Sequence, residues 1–202
     1  RYAAFLAAIR DGAMVSVNNL VAATLAEDKE LLGLLYDQSF RAELSNSDRS
    51  FIDSHVLWTA RLAPGTTLYR GDMIDLLPYV REHREQFVIK PANEGRGFGV
   101  TVGRHASDED WGDACSPSSD LPCVVQEYAE PIALPTLIPG CLDAQQRMAA
   151  PEMQQTISMG VIRGEYRGLF ARVARDPVTN VGQSGMIQAV FVDRSPPPTR
   201  GI

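Results

Sequence analysis

The feature that most constrains this fold is a glycine-rich segment enclosed by two apolar, β-branched runs, residues 87–103. Residues 87–89 form the first run and lead directly to Lys90, and residues 100–102 form the second. Short runs of this kind, bounded by turn residues, predict the two strands of a hairpin. We therefore expect Lys90 at the end of a strand, followed by a flexible glycine-rich tip.

The tip carries residues that suit a phosphate group. Gly95, Gly97 and Gly99 would let backbone amides approach an anion closely, while Lys90 would supply a point charge. Glu94 is a hard oxygen ligand of the kind that Mg²⁺ prefers. The alternative is an ordinary hairpin with a glycine-rich turn. The combination of a lysine, a glutamate and three glycines favours a phosphate-binding loop.

Two commoner glycine motifs are absent from this segment. A dinucleotide-binding fingerprint needs Gly-x-Gly-x-x-Gly at the start of a helix, but Gly97 and Gly99 are followed by Val102 at the third glycine position and by a strand-like run. A P-loop needs Gly-Lys-Ser/Thr after its glycines, and Val100 follows Gly99 instead.

Composition narrows the class of protein. A chain of 202 residues with 45% hydrophobic content can bury a substantial core in one or two domains. A net charge of -6 argues against a nucleic-acid surface, and no apolar run approaches the roughly 20 residues that span a bilayer. Three cysteines without Cys-x-x-Cys spacing indicate reduced thiols. We expect a cytoplasmic globular protein without nucleic-acid or membrane partners.

Hydrophobic periodicity and capping residues predict the other elements. The expected strands are residues 14–17, 66–69, 123–128, 157–163 and 165–174. The expected helices are residues 2–10, a segment from Leu20 to Leu35 that contains Lys29, residues 72–86, and one capped by Ser107 with Trp111 facing the core. Residues 37–70 are otherwise interpreted as irregular, with a loop at 45–48.

Residues 90–97, Lys-Pro-Ala-Asn-Glu-Gly-Arg-Gly, resemble the phosphate-covering loop of ATP-grasp ligases, above all the Lys-Pro-x-x-Glu-Gly run of glutathione synthetase. Glutathionylspermidine synthetases and circularly permuted ATP-grasp proteins have related loops. The resemblance implies an α+β fold in which two lobes with antiparallel sheets clamp ATP. It implies that Lys90 contacts ATP, that Glu94 binds Mg²⁺, and that Gly95, Gly97 and Gly99 cover the phosphates.

Two further stretches carry the resemblance. Residues 15–35 match permuted ATP-grasp proteins in the order of strand, small residues, Asp-Lys and apolar helix, which implies that Lys29 contacts ATP. Residues 123–128 form an apolar strand with a polar end, which could read an adenine edge or be a plain core strand. The family's matching stretch is the hinge between lobes. It implies an adenine pocket made by Gln126, Glu127, Tyr128 and Ala129, with Glu130 toward the ribose.

The C-terminal part supplies two more candidates. An arginine late in a buried strand is either a structural ion-pair partner or an anion clamp. Residues 168–174 resemble the Gly-x-x-x-Arg strand of permuted ATP-grasp chains, which implies that Arg172 faces the transferred phosphate or the substrate carboxylate. Residues 179–185 are similar to the family's Asn-x-x-x-Gly-Gly ending, with Ser184 replacing one glycine, and imply Asn180 as a metal ligand.

The resemblance implies an ADP-forming carboxylate-amine ligase that uses ATP and Mg²⁺ and acts on small-molecule or peptide carboxylates and amines through an acyl phosphate. Lys90 and Arg172 would be its catalytic residues. We expect residues 1–86 and 129–202 to form the ATP-grasp core and residues 87–128 the small lobe. Permuted enzymes usually bring an acidic residue and a Glu-x-Asn pair from an upstream segment, so we expect a fragment of a longer protein with an incomplete magnesium site.

Two alternatives remain open from the sequence. One is a non-catalytic ATP-grasp-like module that binds nucleotide as a sensor or scaffold. The other is an α+β interaction domain that binds no nucleotide.

Overall fold

The computed structural model describes residues 3–15, 25–116, 121–136 and 151–190. The chain divides into two compact units, Arg1–Gly95 with Gly99–Ala129 and Arg96–Phe98 with Glu130–Ile202. The described elements are α+β and the sheets are antiparallel, which confirms the expected fold class at that level. No helix within the described ranges is long and apolar enough to cross a membrane.

The first unit combines short helices with a four-stranded sheet in the order β1-β6-β4-β5 and a separate β2-β3 hairpin. Its elements in chain order are α1 (Ala3–Arg10), α2 (Glu30–Leu34), α3 (Gln38–Glu43), α4 (Asn46–His55), β1 (Thr59–Arg61), β2 (Thr66–Tyr69), β3 (Asp72–Asp75), α5 (Leu76–Glu82), a 3₁₀ turn (Arg84–Gln86), β4 (Phe87–Pro91), β5 (Thr101–Val102), α6 (Asp108–Ala114) and β6 (Cys123–Glu127). All strand pairs in this sheet are antiparallel.

The two faces of this sheet have different neighbours, because side chains alternate along each strand. Phe87, Ile89 and Val125 face the hydrophobic core. The other buried members of that core are Trp58, Leu62, Tyr69, Leu76, Val80, Trp111 and Cys115. Lys90 and Gln126 lie on the opposite face, since each is one residue removed from a core-facing position.

The second unit is a four-stranded antiparallel sheet in the order β10-β9-β8-β7. Its strands are β7 (Ile132–Pro135), β8 (Glu152–Ile162), β9 (Glu165–Ala174) and β10 (Met186–Gln188), and a 3₁₀ turn covers Val181–Gln183. The two-residue connection between β8 and β9 has positive φ at both Arg163 (53°) and Gly164 (78°). Two consecutive positive φ angles characterise the type I′ turn that suits a tight hairpin, and the expected junction is confirmed.

Several expected elements are confirmed. The strand at 66–69 is β2, the strand at 123–128 is β6 to within one residue, and the glycine-rich hairpin pairs β4 with β5. Ser107 caps α6 by accepting a hydrogen bond from the Asp110 amide at 3.1 Å, and Trp111 is buried. Gly12, with φ 72°, follows α1 as expected of a residue that ends a helix.

Other expectations are wrong. Residues 38–43 and 46–55 form α3 and α4 rather than an irregular segment, because Asp37 and Ser45 cap these helices through their side chains. Residues 72–75 form strand β3 instead of the start of a helix. Met14 and Val15 form no strand, and residues 16 and 17 of that predicted strand lie outside the described residues.

The predicted segments 1–86 and 87–128 share one sheet, because β1 pairs with β6. The start of the third predicted segment, residue 129, lies beside the boundary between the two compact units.

Candidate functional site

Lys90 carries a half-buried ammonium group in the sheet of the first unit. Its side chain is half-buried at the end of β4, and its Nζ donates to Gln126 Oε1 at 2.6 Å. Gln126 is 8% exposed, and its Nε2 donates to the Thr59 hydroxyl at 2.9 Å. Burial lowers the pKa of Lys90, and the nearby Lys29 charge lowers that pKa further. Within the described residues Lys90 forms no ion pair with a carboxylate.

Lys29 holds the segment that follows Lys90. Its Nζ donates to three backbone carbonyls, Pro91 at 3.0 Å, Ala92 at 3.1 Å and Glu94 at 2.6 Å. Its backbone amide also donates to Ala92 O at 3.0 Å. An ammonium has three N–H donors, so all of them are used on this segment. Lys29 is therefore placed to fix the start of the glycine loop.

Lys29 lies at the N-cap of α2, and the expectation that it stands inside a helix is wrong. Its backbone amide bonds to Ala92 across the fold instead of to a carbonyl of a preceding helical turn. The following Glu30 amide donates to the Asp28 carboxylate at 2.8 Å, which helps α2 to begin here.

The glycine loop has the backbone that its sequence predicts. Arg96, Gly97 and Gly99 have positive φ angles of 59°, 77° and 66°. A Cβ on Gly99 would lie 2.7 Å from Pro91 Cγ. Both this close approach and the positive φ angle favour glycine at position 99. A Cβ on Gly95 would meet nothing within 4 Å. The Glu94 residue is exposed.

The predicted adenine residues divide between the two faces of the sheet. Gln126 points to the Lys90 face, whereas Glu127 pairs with Phe87 on the core side. Glu127 Oε1 accepts from the Tyr69 hydroxyl at 2.9 Å and from Arg70 Nε at 3.0 Å. Burial is the main cause that raises the pKa of Tyr69, and the bond to Glu127 raises it further. The Glu127 carboxylate thus serves a network away from Lys90.

The residues after β6 are more exposed. Tyr128 is half-buried; its amide donates to Gln86 O at 2.8 Å and the Arg104 guanidinium lies 5.2 Å from its ring centroid. Ala129 and Glu130 are exposed. Ala129 ends the first unit and Glu130 belongs to the second.

The second unit contains Gly97, Glu130, Arg172 and Asn180. Arg172 lies half-buried on β9 opposite Thr156, whose hydroxyl bonds to the Thr179 hydroxyl at 2.7 Å. Among the described residues the buried Arg172 Nε has no hydrogen-bond partner.

Asn180 Oδ1 accepts from the Gly182 amide at 3.0 Å. Ser184, at the position of a family glycine, has φ 92° in the region that favours glycine.

Glu94 and Asn180 are the two residues that the sequence predicts as magnesium ligands. The part of the chain that the structure describes contains no group of three or more His, Cys, Asp and Glu side chains that could hold a metal ion. Mg²⁺ usually keeps several waters and binds through one or two carboxylates together with substrate phosphates. The exposed Glu94 carboxylate fits that mode, whereas the Asn180 oxygen is already used as a cap.

The sequence did not single out Thr59 as a member of this site. Thr59 is fully buried on β1, and its hydroxyl donates to Leu57 O at 3.0 Å while accepting from Gln126. It completes a chain of hydrogen bonds from Lys90 to the backbone. The available signal was a threonine in a short apolar segment after Trp58, but the strand pairing that brings it to Gln126 is not local.

Comparisons with family models, with curated proteins and with solved structures found no match to this chain.

Proposed function

We propose that this chain is the ATP-binding region of an ADP-forming carboxylate-amine ligase of the ATP-grasp type. The environment of Lys90 is the observation that carries the proposal. Among the described residues, the side-chain partner of this half-buried ammonium is the neutral amide of Gln126, which leaves the lysine charge uncompensated. Such a charge is costly to bury. An anionic phosphate would offset this cost, and Lys90 uses one of its three N–H donors on a described residue.

The other candidate residues would act on the phosphates or on the metal ion. Lys29 would act by holding residues 91–94 in place rather than by direct contact, because its three donors are occupied. The glycine loop would offer backbone amides, and Glu94 would hold the metal ion. Mg²⁺, when bound, would neutralise phosphate charge. Arg172 would stabilise charge on the transferred phosphoryl group, since phosphoryl transfer depends mainly on positioning and electrostatics.

A non-catalytic nucleotide-binding module is the second candidate. It is favoured by Asn180, whose side-chain oxygen caps a 3₁₀ turn. Both candidates require ATP or ADP to bind through Lys90, and they differ in turnover.

Nucleotide binding is tested by calorimetry with ATP and ADP. Lys90→Ala removes a charge-assisted contact worth roughly 1.5–3 kcal/mol, so affinity should fall about ten- to a hundredfold. Arg61→Ala is the matched control, because Arg61 is a cation of the same sheet that pairs with Glu30 at 3.3 Å. Equal affinity of Lys90→Ala and the unmodified chain would refute the nucleotide site.

The ligase reaction is tested on the complete protein with a panel of carboxylates. It should release ADP and phosphate, and hydroxylamine should trap the acyl phosphate as a hydroxamate. Arg172→Ala should suppress trapping while leaving ADP binding nearly unchanged, because the arginine would act on the transferred group. Release of AMP would refute the acyl-phosphate mechanism. ATP binding without turnover on any carboxylate would favour the non-catalytic module.

A further inference from the structure

A cavity of about 510 Å³ lies on the Glu127 side of the first unit's sheet, the face opposite to Lys90. This volume falls in the range of about 300–1,000 Å³ that is typical of small-molecule sites. Val56, Trp58 and Leu68 supply the apolar part of its wall. The proposed nucleotide site uses none of these residues.

The charged part of the wall consists of two ion pairs. Arg41 Nη2 lies 2.9 Å from Asp53 Oδ2, and Arg70 Nη2 lies 2.9 Å from Glu127 Oε1. The cavity therefore presents two cations and two carboxylates, with no net charge. The Arg70 and Asp53 side chains are 68% and 54% exposed, so both remain accessible to a ligand.

Each of the two ion pairs has N–H donors or carboxylate oxygens that form no hydrogen bond with a described residue. A guanidinium has five N–H donors. Arg70 uses its Nε and Nη2 on the single oxygen Glu127 Oε1, and Arg41 bonds to Asp53 and to Leu35 O. Asp53 Oδ1 accepts no hydrogen bond from a described residue. The Tyr36 hydroxyl is already bonded to Val56 O, so the charged side chains would carry recognition.

The charge pattern restricts the ligand. A simple anion would be repelled by the two carboxylates, a simple cation would be repelled by the two arginines, and a neutral apolar ligand would desolvate both ion pairs without replacing their hydration. A ligand that carries both charges avoids all three costs. Its apolar portion would contact Trp58 and Leu68.

We propose that this cavity binds a free α-amino acid with an apolar side chain. Its carboxylate would accept hydrogen bonds from Arg70, its ammonium group would donate to Asp53, and its side chain would pack against Trp58. This site is separate from the proposed nucleotide site and does not depend on it.

The test is calorimetric titration of the whole 202-residue chain with L-leucine, L-methionine and L-phenylalanine. N-acetyl-leucine lacks the ammonium group and leucinamide lacks the carboxylate. Each should bind about ten- to a hundredfold more weakly than leucine, because each loses one charge-assisted contact. Failure of all three amino acids to bind, or equal binding of leucine and its two derivatives, would overturn the proposal.

Two variants assign the contacts. Arg70→Gln should abolish the preference for leucine over leucinamide, and Asp53→Asn should abolish the preference over N-acetyl-leucine. Arg61→Gln is the matched control, because Arg61 is 67% exposed and also pairs with a carboxylate. Arg70→Gln without effect on leucine binding, or an equal loss in Arg61→Gln, would overturn the assignment. Lys90→Ala should leave leucine binding intact, which separates this outcome from failure of the nucleotide site.

Discussion

Replacing Lys90 by methionine tests the burial of its charge, because methionine has a similar length and no charge. Burial and the Lys29 charge lower the pKa of Lys90 from its ordinary value of 10.5. Between the lowered value and 10.5, the unfolded state binds more protons than the folded state. Stability of the unmodified chain should therefore rise with pH in that window, relative to Lys90→Met. Below the lowered pKa both states are protonated and the difference should be constant.

The stability difference between the unmodified chain and Lys90→Met has a pH-dependent part with an upper limit and a constant part. One proton limits the slope to about 1.36 kcal/mol per pH unit. Lys90→Met also leaves the buried Gln126 Oε1 without its donor, which should cost about 1–3 kcal/mol at every pH. The pH-dependent part therefore reports the lysine charge, and the constant part reports the lost hydrogen bond.

Urea unfolding followed by tryptophan fluorescence measures this difference. Trp58 and Trp111 are the two tryptophans of the sequence, and both are buried in the core of the first unit. The signal therefore reports the unit that contains Lys90. Lys29→Met is a useful second variant. Removing the Lys29 charge should raise the pKa of Lys90 and so narrow the pH range over which stability rises. Parallel stability profiles of the unmodified chain and Lys90→Met from neutral pH to 10.5 would refute the reasoning.

Two further predictions concern the glycine hairpin. Glu94→Gln should weaken MgATP binding far more than metal-free ATP binding, and equal losses in the two titrations would exclude Glu94 as a metal ligand. Gly103→Ala would place a Cβ 2.0 Å from Arg84 O and should destabilise the first unit by about 3 kcal/mol in urea unfolding. Gly95→Ala, whose Cβ would meet nothing within 4 Å, should change stability by less than about 0.5 kcal/mol, and a similar loss in both variants would contradict the steric argument.

The hairpins were predictable because their signals are local. The β-branched runs on either side of the glycine loop, and Arg163-Gly164 between two apolar segments, determine strand ends and turn chemistry within a few residues. Helix α4 was missed because it buries only Ile52 among its described side chains, so its sequence has little apolar periodicity. Its beginning was nevertheless visible in the Ser45 cap with Asp48 three residues later.

The candidate site was predictable only in part. The position of Lys90 at the end of a strand follows from the hairpin pattern. Its hydrogen bond to Gln126, and that of Gln126 to Thr59, need β6 to lie between β4 and β1, which no local pattern specifies. The opposite orientations of Gln126 and Glu127 could have been deduced, because neighbouring residues of one strand point to opposite faces. The three carbonyl contacts of Lys29 depend on tertiary packing across more than sixty residues.

The chain path around the loop affects how this protein could be divided into fragments. Residues Arg96–Phe98 belong to the second compact unit although the residues on either side belong to the first. A Cβ on Gly182 would lie 3.3 Å from Arg96 Cβ, so the loop tip and the 3₁₀ turn pack closely. A truncation after Ala129 would therefore remove the packing partners of the loop tip together with the second sheet.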